Sequence, residues 1–138
     1  MRRKILTLLS AVALLTTLGA TTLNAGSKPF LILGKLPHLT GMVKVLWDDE
    51  DLALTSQQKA KLIEVRKYTM KNAKALGREI NTLEADIVEK SNDGAKPAAL
   101  KKSVNRLASL RAKATMVHLD CIYNTRAILT EDQLYIIE

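Results

Sequence analysis

Residues 54–91 read LTSQQKAKLIEVRKYTMKNAKALGREINTLEADIVEKS, and this stretch decides the fold. It contains no Pro and a single Gly, Gly77. Apolar or small side chains fall at Leu62, Val65, Thr69, Ala73, Leu76, Ile80, Leu83 and Ile87, always three or four residues apart. That rhythm is the seam of a long helix packed lengthwise on a partner. The opening Leu54-Thr55-Ser56-Gln57-Gln58 is a capping box. The Thr55 hydroxyl can accept from the backbone N–H three residues on, and the Gln58 side chain can reach back to the Thr55 N–H.

Towards the C-terminus, Asn92-Asp93-Gly94 breaks the helix and Pro97 restarts one. The next seam runs through Leu100, Val104, Leu107, Leu110 or Arg111, Ala114, Val117 or His118, Cys121, Thr125 and Ile128. Two strongly periodic helices joined by a short turn are antiparallel neighbours. Leu129-Thr130-Glu131-Asp132-Gln133 then repeats the capping box. Leu129 and Leu134 are spaced as a hydrophobic staple, and a short helix over 131–137 ends the chain.

Towards the N-terminus, Asp48-Asp49-Glu50-Asp51 separates the long helix from a short one. Pro37 is placed to open that short helix. Leu39, Met42, Val43 and Leu46 make one side of it, and it ends near Trp47. The expected architecture is all-α: an extended antiparallel hairpin of two long helices, with a short helix before and a short helix after. The first long helix, about 54 Å at 1.5 Å per residue, exceeds the diameter of a compact globule of this length, about 34 Å. An isolated hairpin of this kind leaves its flanks wet; the short first helix can cover part of that surface, and a second chain could cover more.

The chain of 138 residues carries 21 Lys+Arg against 14 Asp+Glu. Aromatic residues are 4% of it, thin for strands, which favour aromatic and β-branched side chains. One Cys and two His exclude a multi-cysteine zinc module and an intrachain disulfide framework. Residues 1–25 begin Met1-Arg2-Arg3-Lys4, continue uncharged through Ala20 and end on small residues up to Ala25, the order of a secretory signal peptide. Its removal takes three basic residues and no acid from the formal +7. Residues 26–36 then read as a linker and 37–138 as one helical domain. The expected destination is the periplasm, and export with mild basicity argues against a nucleic-acid partner.

Two Leu-Thr-x-x-Gln motifs bracket the hairpin behind a signal peptide. In this the chain resembles the Spy/CpxP family of periplasmic LTxxQ-motif proteins, over about residues 37–133. The resemblance rests on Leu54, Thr55, Gln58, Leu129, Thr130 and Gln133. It implies a hairpin that pairs into a thin, curved dimer. It further implies an ATP-independent envelope chaperone or stress-response protein, a sensor-kinase inhibitor, or a metal-linked sensor. The Met- and His-rich N-terminal stretch of some relatives is reduced here to His38 and Met42.

Two sets of residues are candidates for function. Lys59, Arg66, Lys67, Lys74 and Arg78 on the first long helix and Lys102, Arg106 and Lys113 on the second are basic. With apolar islands at Ile63, Met70 and Leu110, they form a surface suited to unfolded or misfolded envelope proteins: attraction by charge, then weak apolar contact. The plain alternative is a solvated face. The other set is His118 and Cys121, neighbours three apart on a helix, which His38 or Met42 could join as metal ligands. Two certain ligands fall short of the four of structural zinc. Cys121 is read as buried in the seam, with a metal or an intermolecular disulfide as the alternatives. No spaced acid/base pair or nucleophile triad is present, so no cofactor and no catalysis are expected.

Overall fold

The computed structural model describes residues 28–138, and the expected signal peptide lies outside them. Four helices follow in order: α1 (Leu39–Val45), α2 (Ser56–Asn92), α3 (Pro97–Ile128) and α4 (Glu131–Ile137). No strand occurs among the described residues. Helices α2 and α3 pack together along their length. They run antiparallel: Gln58 near the start of α2 reaches the Ile128 carbonyl at the end of α3, and midway along both helices Ile80 clusters with Leu110.

Local sequence explains each helix end. Thr55 and Thr130 both form complete capping boxes with Gln58 and Gln133. At the end of α2, Gly94 takes φ +83°. Its N–H donates to the Ser91 carbonyl and the Ala95 N–H donates to the Lys90 carbonyl. This is the Schellman arrangement, which needs a left-handed residue that Gly supplies without steric cost. Pro97 occupies the first turn of α3, where its missing N–H costs nothing. The chain between α1 and α2 is held by Asp49, whose Oδ1 accepts from the N–H groups of Asp51 and Leu52.

The start of α1 departs from the expectation. The helix begins at Leu39, two residues after Pro37, with His38 as a non-helical cap at φ −100°, ψ 61°. His38 serves as the cap residue, its carbonyl accepting from the Gly41 and Met42 N–H groups while its ring stacks on His118 of α3. The seam of α3 differs at one place too. Val104 is 48% exposed, while Leu110, Ala114, His118, Cys121 and Thr125 are buried. The seam thus passes through Leu110 rather than Arg111 and through His118 rather than Val117.

The core has two parts. At the open end of the hairpin, Leu39, Val43, Leu52, Leu62, Leu129 and Ile137 form one cluster, joined by Trp47, Leu54 and Leu134. Leu134 packing beside Leu129 fits the staple. Midway along, Ile80, Leu110 and Ala114 form the second, with Phe30, Leu76, Leu83 and Leu107 against it. The segment before α1, expected as a linker, lies on α3. The Leu31 N–H donates to Thr115 Oγ1 at 2.8 Å, and Arg111 donates to the Lys28 carbonyl at 3.0 Å.

The two motif glutamines join both ends of the chain at the first cluster. Gln58 Nε2 donates to Gln133 Oε1 at 2.7 Å and to the Ile128 carbonyl at 3.0 Å. Gln133 Nε2 donates to the buried Leu52 carbonyl at 2.9 Å and to Gln58 Oε1 at 3.2 Å.

Candidate functional site

Lys59, Ile63, Arg66 or Lys67, Met70, Lys74 and Arg78 recur three or four residues apart on α2 and therefore share one face. Lys59 is the half-buried end of this row. Its ammonium pairs with Asp48 at 2.8 Å and sits 5.6 Å from the centre of the Trp47 ring. The side chains of Arg66, Lys67, Lys74 and Arg78 make no ion pair among the described residues. Ile63 and Met70, between these cations, are 52% and 39% exposed. Such neighbouring cations lend a positive field to the apolar side chains between them.

The α3 row is less continuous than expected. Lys102, Arg106 and Lys113 are exposed. Leu110, expected to be an apolar island beside them, is only 7% exposed and packs on Ile80 and Ala114. Burial of its side chain is worth more, about 1.5–3 kcal/mol, than any weak contact it could offer at a surface. Arg78 and Arg106 line one groove between the long helices, but Glu79 and Asp86 line it as well. Arg106 lies 4.0 Å from Glu79. The positive rows of the two arms therefore meet over compensating acids, and the row on α2 is the stronger candidate.

Beside that row, a groove of about 380 Å³ lies between α1, which packs on α3 and α4, and the start of α2. Thr40, Val43, Lys44 and Trp47 line it from α1 and the residues just after it, and Leu62, Ile63 and Arg66 line it from α2. Its surface is almost entirely apolar, with one cation from each side. The sequence signals for it were present in part. Ile63 and Arg66 stand out in the α2 row, and Val43 in the apolar side of α1. Lys44 and Trp47 carried no such signal, because only the docking of α1 brings them opposite Ile63.

Of the His/Cys set, the structure brings His38 and His118 together. The His38 and His118 rings stack with centroids 4.8 Å apart at 19°, and the Phe30 ring lies 4.9 Å from His118 on a tilt. Cys121 is buried as expected, with Sγ 3.8 Å from Thr40 Oγ1, within hydrogen-bond reach. Met42 is on the exposed side of α1. Among the described residues, no three His, Cys, Asp or Glu side chains converge to hold a metal ion. His118 is 6% exposed, and its Nδ1 has no hydrogen-bond partner among those residues. Burial holds the His118 imidazole below its ordinary pKa, and the neighbouring His38 adds repulsion in the same direction. A hydrogen bond to the Pro37 backbone, which has only a carbonyl to offer, acts the other way. The site is an aromatic stack beside the seat of α1 on α3.

No family model, curated protein or solved structure matches the chain. No described helix is long and apolar enough to cross a membrane.

Proposed function

We propose that this protein is a periplasmic, ATP-independent chaperone of the envelope-stress type, related to the Spy/CpxP proteins and acting as a curved homodimer. It holds unfolded or misfolded proteins on the basic, partly apolar face of α2. The observation that carries this reading is the row Ile63, Arg66, Lys67, Met70 and Lys74, where exposed apolar side chains stand among cations free of ion pairs among the described residues. Unfolded clients reach such a face by long-range attraction, and exposed apolar side chains set among cations suit weak and reversible contact. The two complete capping boxes, placed where the resemblance puts its paired motifs, support the relationship.

The test is aggregation of a chemically denatured client diluted into buffer without ATP. Stoichiometric protein is expected to suppress light scattering at low salt and to lose much of that effect at about 1 M salt, where the Debye length falls to about 3 Å. Unchanged scattering at low salt overturns the proposal. Sedimentation of the processed protein tests the dimer.

A further inference from the structure

The groove between α1 and α2 differs from the open face beside it. It is concave, almost wholly apolar inside, and lined by two cations, Lys44 and Arg66, with no acid among its lining residues. Neither cation makes an ion pair among the described residues. Its volume, about 380 Å³, is at the lower end of the range for small binding sites, roughly 300–1,000 Å³.

We infer that this groove is a binding site for peptide segments in which a large apolar side chain is flanked by carboxylates. The apolar side chain enters between Val43, Trp47 and Ile63. The carboxylates lie against Lys44 on one side and Arg66 on the other. Charge complementarity selects this occupant: a basic segment would meet two cations, and a purely apolar one would leave them without partners. The chain's own opening, Met1-Arg2-Arg3-Lys4 followed by an uncharged run, carries the wrong charge. The identity of the occupant as a client segment rests on the chaperone proposal; the chemistry of the groove does not.

Trp47 is the only Trp of the chain and lines the groove, so its emission reports occupancy directly. The probe is a synthetic peptide with one Phe between two pairs of Asp, titrated at low salt. Binding is expected to shift Trp47 emission. Replacing the probe's Phe by Ala should weaken binding about ten- to a hundredfold, the equivalent of burying one large apolar side chain. Replacing its Asp residues by Lys should abolish binding. In the protein, Lys44→Glu with Arg66→Glu should weaken binding about tenfold or more. Lys96→Glu with Lys101→Glu, the same change in net charge outside the groove, should weaken it far less. Ile63→Ser provides a second, uncharged test of the groove, and circular dichroism checks that each variant folds.

Aggregation suppression is measured on the same samples. If the acidic probe leaves Trp47 unchanged while clients are still protected, the groove inference fails and the chaperone proposal stands. If the probe binds and the groove variants weaken it while no client is protected, the groove stands and the chaperone proposal fails. Equal weakening by the groove pair and the Lys96/Lys101 pair overturns the site in favour of general charge. Emission that depends on protein concentration and ignores the probe overturns it in favour of a second copy of this chain.

Discussion

Gln58 and Gln133 exchange hydrogen bonds side chain to side chain, 2.7 Å one way and 3.2 Å the other, across 75 positions of sequence. Each amide also completes its own capping box and reaches a backbone carbonyl of another segment. One pair of side chains thus ties the start of α2, the end of α3, the start of α4 and the chain before α2. Gln133→Ala leaves the Leu52 carbonyl buried and without this donor, at an expected cost of about 1–3 kcal/mol. Gln58→Ala costs less, being partly exposed. A double-mutant cycle by urea unfolding should give a coupling of about 0.5–3 kcal/mol, and strict additivity would show that the two amides act separately.

The threonines of the same motifs act locally. Thr55→Ala removes the acceptor for the Gln58 N–H and should cost about 1 kcal/mol. Thr130→Ala removes the acceptor for the Gln133 N–H, and a similar cost is expected although α4 is short. Helix α4 is anchored, because Gln133 and Ile137 are buried. Thermal unfolding unchanged by the double substitution would contradict both caps.

His118 makes the fold sensitive to mild acid. Its folded pKa lies below the unfolded value of about 6.5. Above that pH the imidazole is neutral in both states and the stability is complete. As pH falls below about 6.5 the unfolded chain takes up a proton that the folded chain resists, so stability declines until the folded pKa is passed and then levels off. The urea midpoint should therefore fall between about pH 7.5 and about pH 5.5. His118→Phe, which keeps a flat ring but gains no proton, should flatten this part of the profile. A wild-type and variant profile of identical slope would remove His118 from the account.

Cys121 should react slowly with a thiol reagent in the folded protein and quickly in denaturant, since it is buried. Its Sγ lies near the Thr40 hydroxyl rather than in a wholly apolar seam. Cys121→Ser is therefore expected near the low end of the usual cost of an added buried hydroxyl, about 1 kcal/mol. Fast labelling of the native protein, or a covalent dimer on a non-reducing gel, would contradict the burial.

What the sequence determined by itself was local. The periodicity of Leu62 to Ile87, the Thr-x-x-Gln caps, Gly94 and Pro97 each act through contacts within a few residues, so the helices and their ends could be read in order. Antiparallel pairing followed from the short turn between two long seams. The tertiary structure decided what depends on distant partners. His38 stacks on His118, and α1 starts at Leu39 rather than at Pro37. Leu110 left the expected surface because Ile80 covers it, and Val104 left the seam. The groove depends on the seating of α1 on α3 and α4, which brings Trp47 and Lys44 to the same groove as Ile63 and Arg66. Spacing along one helix fixes which side chains share a face, but not which of several apolar edges a second element will cover. That choice is made by packing between segments far apart in the chain.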